Sequence, residues 1–232
     1  MTIEPFELYK ILLNNFGNQF WWPVDEKYHL KNKSDQRFEV MIGAILTQNC
    51  TWTNVEKALS KLKENNLLEI NSLLSEDEKI LKDLIKSTGF FNQKTSRLYT
   101  LSNHLFKNYN CDIDKFFNRK IQIVRNELLN LNGIGPETAD SIILYAGDKP
   151  IFVIDAYTKR ICKRLPINTN CQNYNEIQNY FEKSLQKIYT KNIVDIYKQL
   201  HALIVELAKN YCSVKPKCDD CPVNIYCEKN LS

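Results

Sequence analysis

The 232-residue chain has no apolar run approaching the ~20 residues that cross a bilayer. Its opening, MTIEPFELYK, lacks the basic-then-apolar order of a secretory leader, so a cytosolic protein without membrane contact is expected. Glycine is scarce at six residues, and there is no Gly/Ser linker, internal repeat or low-complexity tract. Any two lobes must then be joined without long tethers, and the chain is free to cross between them more than once. Excess charge is also missing: 31 Lys+Arg against 27 Asp+Glu give +4. That balance favours an anionic partner but excludes a purely electrostatic binder. With 44% hydrophobic and 25% charged residues, disorder is excluded as the overall state.

What is present is helical periodicity from end to end. Phe6, Tyr9, Leu12 and Leu13 fall on one helical face; Phe38, Met41, Ile42 and Ile45 repeat the spacing behind a cap at Ser34 or Asp35; Trp52, Val55, Leu59 and Leu62 follow. Further helices are expected over 76–87, 93–108, 119–130, 136–147, 155–164, 174–188 and 193–210. Only Ile151-Phe152-Val153-Ile154 looks strand-like, and it is short. The class is all-α.

Eight cysteines are present, four of them crowded near the C-terminal end as Cys212-x5-Cys218-x2-Cys221-x5-Cys227. In a reducing compartment such crowding points to metal rather than cross-links, and four thiolates suit either an iron–sulfur cube or structural zinc. Cys50, Cys111, Cys162 and Cys171 are scattered and read as ordinary thiols. Lys209, Lys215 and Lys217 flank the crowded segment.

Two glycines sit two apart in Leu131-Asn132-Gly133-Ile134-Gly135-Pro136-Glu137-Thr138-Ala139-Asp140. Proline at the first position of a helix loses no hydrogen bond. The glycines allow close backbone approach, and the helix start offers free N–H groups, so the turn can hold a phosphate; a plain tight connection between packed helices is the alternative. Ile134 is expected to plug the hairpin's own core. Eighteen residues beyond Glu137, Asp155 closes the apolar run 151–154, either as a helix cap or as a reactive group.

The order of helix, Gly-Ile-Gly, helix, then Asp155, then four cysteines resembles the helix-hairpin-helix DNA glycosylases of the endonuclease III superfamily, over roughly residues 5–228. Trp21-Trp22-Pro23, Ala44-Ile45-Leu46-Thr47-Gln48-Asn49, Gly89-Phe90-Phe91-Asn92-Gln93-Lys94 and residues 133–140 look like the 3-methyladenine DNA glycosylase III branch. The resemblance implies two α-helical lobes, one spanning 35–147 and ending in the hairpin, the other built from 1–34 plus 148–232. It implies a [4Fe-4S] cluster on Cys212, Cys218, Cys221 and Cys227, although the branch's bacterial namesake lacks one and the first gap here is one residue short. Duplex DNA with a damaged base is the implied partner, the protein acting as a nucleoid-associated monomer. Asp155 and Glu137 are implied as the catalytic residues, Trp21, Trp22 and Trp52 as the base pocket, Gln48, Asn49 and Phe90 as side chains entering the duplex, and Gly133, Ile134 and Gly135 as the phosphate-binding turn.

Bifunctional relatives carry a lysine in the helix after the hairpin; here Glu137 stands there, and a carboxylate cannot form a Schiff base. A monofunctional glycosylase is therefore expected, releasing an alkylated purine such as 3-methyladenine, with Glu137 favouring its positive charge. The alternatives are an endonuclease III-type glycosylase/lyase acting on oxidised pyrimidines, with Lys94 or Lys159 as substitute amine, and a non-catalytic duplex binder.

Overall fold

Apolar residues spaced three and four apart become helices throughout the computed structural model, which describes residues 2–167 and 173–227. The helices are α1 (Pro5–Phe16), α2 (Glu26–Asn32), α3 (Gln36–Leu46), α4 (Trp52–Glu64), α5 (Ile70–Ser75), α6 (Glu78–Leu84), α7 (Phe91–Tyr109), α8 (Ile113–Phe117), α9 (Ile121–Leu129), α10 (Pro136–Ser141), α11 (Ala156–Arg164), α12 (Tyr174–Gln186) and α13 (Ile193–Asn210). None of these is long and apolar enough to cross a membrane. Helices α2, α5 and α8 escape a sequence reading because two turns or fewer show too little periodicity. In α1 the buried face is Pro5, Leu8, Tyr9 and Leu12 rather than the one containing Phe6 and Leu13, which are half-exposed.

The chain divides into two compact units, Trp22–Lys149 and a discontinuous unit of Met1–Trp21 with Pro150–Ser232. Residues 22–34 thus cluster with the hairpin-bearing segment. In the continuous unit α3 is central: Phe38 to Leu46 are all buried, and its neighbours are α4, α7 and α10. Asp35, not Ser34, caps it by accepting from Arg37 N at 2.9 Å. In the discontinuous unit α13 is central, buried from Leu200 through Val205, with α1 and α11 against it.

The run Ile151–Ile154 is extended and buried but is not a strand, and none is found among the described residues. Side chains of α12 and its start take the place of a partner strand. Phe152 N donates to Glu182 Oε1 at 2.8 Å, Phe152 O accepts from Gln178 Nε2 at 2.6 Å, and Ile154 N donates to the Tyr174 hydroxyl at 3.3 Å. Buried backbone groups need partners of some kind, and here helix side chains supply them.

Candidate functional site

Within the continuous unit, α9 ends at Leu129 and the chain turns through Gly133 and Gly135 into α10, with Pro136 at its first position. Gly133 has φ +84°, a conformation open to glycine at little cost. It is also crowded, because a Cβ there would lie 2.7 Å from Arg97 Cδ and 2.8 Å from Cγ. Gly135 is extended, with nothing within 4 Å of a would-be Cβ. Ile134 is buried as expected. Buried Asp140 binds Arg125 of α9 through two contacts of 2.7 and 3.1 Å, tying the two hairpin helices together. Glu127 of α9 is held down to about 2, first by the Arg119 hydrogen bond, against the upward push of burial, with Tyr109 and His104 adding to the same side.

Gln48 and Asn49, adjacent in sequence, are used differently. Gln48 Nε2 donates to Gly133 O at 3.1 Å and to Thr138 Oγ1 at 2.8 Å, while its Oε1 accepts from Arg97. The amide therefore clamps the hairpin. Asn49 is exposed with φ +51°, leaving its side chain at the surface. Phe90 is 63% exposed with φ +45° at the start of α7. The left-handed region is costly for a bulky residue, and the ring stands in water.

Lys94 is fully buried, its Nζ donating to Leu46 O at 2.8 Å and Thr88 O at 2.7 Å. Desolvation pulls its pKa down. Both donors are aimed at orphan carbonyls, one of them the last of α3, so this lysine is a buried helix cap and cannot reach a substrate. Lys159 is exposed on α11 in the other unit, 5.5 Å from the Tyr174 ring.

Trp22 and Trp52 meet edge-on at 5.3 Å, and Tyr145 joins Trp22 at 5.5 Å. Tyr145 belongs to the widened π turn Ile142–Ala146 that continues α10. Trp22 lies directly over Gly43: a Cβ there would be 2.9 Å from Trp22 Cζ2. Neither Tyr145 nor Gly43 was a candidate from sequence, yet a glycine inside α3 costs about 1 kcal/mol relative to alanine and was the available signal. Trp52 also lines a cleft of about 620 Å³ with Pro23, Asp25, Glu39, Glu56 and Lys63. Trp21 falls in the discontinuous unit, where Lys209 Nζ sits 5.7 Å from its ring. Glu137 is exposed in the first turn of α10, where a negative charge suits the helix dipole.

In the discontinuous unit Asp155 caps α11, Oδ1 accepting from Thr158 N at 2.7 Å and Thr158 Oγ1 at 2.8 Å. His201 Nε2 of α13 lies 3.6 Å from Oδ2, and the aspartate side chain is 12% exposed. The carboxylate is thus enclosed without being sealed. Burial alone would raise its pKa, but His201 and the two Thr158 donors outweigh that and hold it below the ordinary carboxylate range. His201 was not visible as a candidate: a lone histidine in an apolar helix gives no periodic signal.

Cys212, Cys218, Cys221 and Cys227, all half-exposed, line one cavity together with Arg164 and Tyr211. Burial first, then the neighbouring thiols, push the Cys221 thiol up. Arg164 binds Cys212 Sγ at 3.3 Å and Ser213 O at 2.7 Å, and Arg160 binds Cys212 O at 2.8 Å. Among the described residues no three His, Cys, Asp or Glu side chains are arranged to hold one metal ion. Of the scattered cysteines, Cys162 is buried and Cys50 and Cys111 are half-exposed; Cys171 lies outside the described residues.

Comparison with known proteins matches residues 42–187 to the model of the HhH-GPD superfamily of base excision DNA repair proteins. A candidate DNA repair glycosylase of Methanocaldococcus jannaschii is 44% identical over 96% of this chain and 94% of its own length. Endonuclease III of Thermotoga maritima is 27% identical over 88% of this chain and 89% of that protein. Among solved structures, the H. pylori 3-methyladenine DNA glycosylase bound to 1,N6-ethenoadenine has TM-score 0.72 and 29% identity, covering 89% of this chain and 98% of that one. An endonuclease III–DNA complex has TM-score 0.77 at 19% identity, covering 98% and 97%, a likeness of fold. With a matched segment that takes in the Gly-Ile-Gly hairpin and Asp155, and a near full-length relative at 44% identity, the chain belongs to the HhH-GPD superfamily and is a DNA glycosylase.

Proposed function

We propose that this glycosylase is monofunctional, binds duplex DNA, everts a damaged base and releases it by hydrolysis, with an alkylated purine as the preferred lesion. The observation that carries the reading is Asp155, a nearly enclosed carboxylate held below the ordinary carboxylate range; Glu137, in the position where the resemblance places a lysine in lyases, speaks against a covalent route. Cleavage of the N-glycosidic bond builds positive charge on the sugar, and a nearby carboxylate stabilises that charge or takes a proton from the attacking water. No buried lysine is available as a substitute nucleophile at α7, since Lys94 spends its ammonium on two carbonyls.

The preference for a cationic base rests on the aromatic group Trp22, Trp52 and Tyr145. Aromatic faces attract a cation more than a neutral base, and a cationic base is the better leaving group. Glu137, in the same unit as these aromatics, is assigned a supporting role at the pocket. Asn49 and Phe90 are the side chains assigned to the gap left by the everted base, a step that replaces lost stacking. Gln48, already bound to Gly133 and Thr138, is assigned first to the hairpin, whose Gly133-Ile134-Gly135 turn receives a phosphate.

The four-cysteine cavity is assigned a [4Fe-4S] cluster with Cys212, Cys218, Cys221 and Cys227 as ligands. Four thiols lining one cavity are the donor set that such a cube takes, one sulfur to each iron. When bound, the cluster supplies cross-linking of a loop that has no apolar pattern of its own. Purified protein is expected to contain iron and inorganic sulfide at ~4 each per chain; stoichiometric zinc without iron would remove the assignment.

The functional reading is tested by incubating the protein with alkylated, deaminated and oxidised duplexes and scoring free base without added alkali. Release of a methylated purine, with no borohydride-trapped DNA adduct, is the expected result. Release of an oxidised pyrimidine with efficient trapping would establish the lyase alternative instead.

A further inference from the structure

Asp155 raises an accounting question that its capping role does not answer. An ionised carboxylate has about four acceptor sites. Thr158 fills both sites on Oδ1, and His201 Nε2 stands 3.6 Å from Oδ2, leaving one direction on that oxygen open. At that distance the contact is longer than a formed hydrogen bond, so it has room to tighten.

His201 is the one polar side chain in the buried stretch Leu200–Val205 of α13, and burial of an imidazole in such a stretch is costly unless its ring nitrogens are used. A nearly enclosed carboxylate has the complementary difficulty, because without a donor on Oδ2 it would tend to take up a proton and lose the charge that the reaction needs. Closing the 3.6 Å contact between α11 and α13 would meet both difficulties at once.

We propose that His201 is a positioning residue for base release: its imidazole fixes the plane of the Asp155 carboxylate, leaving the open direction of Oδ2 for the reacting sugar. The inference rests on the reading of Asp155 as the catalytic carboxylate. Thr158 and His201 divide the work, the first setting Oδ1 from within α11 and the second setting Oδ2 from α13. Any step that draws α13 away from α11 would then lower the rate without touching DNA.

Single-turnover base release from duplex DNA methylated with dimethyl sulfate, alongside Kd for a duplex carrying a tetrahydrofuran abasic analogue and the melting temperature, separates the outcomes. His201→Leu is expected to slow release about 10- to 100-fold, the scale of a misplaced reacting group, with Kd unchanged. His201→Gln, whose amide N–H reaches a similar distance, is expected to recover most of the rate, and His201→Asn, which is too short, is not. A purely structural histidine would lower the melting temperature in all three and leave the rate per folded molecule alone, which overturns the proposal. Should the leucine variant fail to fold, equal rates for Gln and Asn overturn it in the same way. Asp155→Asn measured beside them distinguishes the two levels. If it is inactive while His201→Leu is wild type, only the positioning role falls; if it is fully active, the catalytic reading falls first.

Discussion

Asp155→Asn is expected to cut the single-turnover rate of base release by about 10²- to 10⁴-fold, the range of a positioned acid or base, while leaving fold and duplex affinity intact. Asparagine caps a helix about as well as aspartate, so Thr158 keeps its acceptor and α11 keeps its start. Only the charge is lost. Asp155→Ala removes cap and charge together and should cost a further ~1 kcal/mol of stability, which chemical denaturation would register. The pH profile carries the same signature. The folded-state pKa is lowered, so the carboxylate stays ionised through the range where a free aspartate protonates, and the acid limb of the rate should lie below that range. The sign is the same for stability: the contribution is complete above the unfolded-state pKa and is lost as pH falls through the folded one. Wild-type rates in the asparagine variant would end the catalytic assignment.

The second large effect is expected at the hairpin. Gly133→Ala places a Cβ in a left-handed backbone and against the Arg97 side chain, which must then move and release Gln48. Roughly 1–2 kcal/mol for the backbone and about 1 kcal/mol for each hydrogen bond lost add to a destabilisation of ~2–4 kcal/mol, with duplex affinity falling alongside. Gly135→Ala is the control, since its backbone is extended and the space beside it is open. Urea denaturation and duplex titration of the pair decide the point, and equal behaviour of the two variants would show that the turn is not held in the way described.

Much of this arrangement could be read from the residues. The cap at Asp155, the buried Ile134 and the start of α10 at Pro136 follow from local rules that need only a few neighbouring positions. What escaped reading depends on side chains brought together from far apart in the chain. Gln48 reads as a side chain that enters the duplex because nothing nearby in sequence announces Gly133 or Thr138 as its partners. Lys94 looked like a spare amine because its two carbonyl acceptors exist only once α3 has ended beside α7. The run 151–154 resembled a strand since an extended buried segment has the same composition whether a strand or the side chains of α12 satisfy its backbone. His201 and Tyr145 were absorbed into apolar patterns that they interrupt only weakly.

The stitching of α1 bears on how the chain is made. Ile3 N binds Pro166 O, Ser184 donates to Glu4, and Gln19 exchanges hydrogen bonds with Gln199, so the earliest helix is secured by residues translated last among its partners. During synthesis the segment 22–149 emerges as one continuous stretch, whereas the apolar side of α1 waits until α13 arrives. Docking of α1 should therefore come late in folding, after α13 is in place.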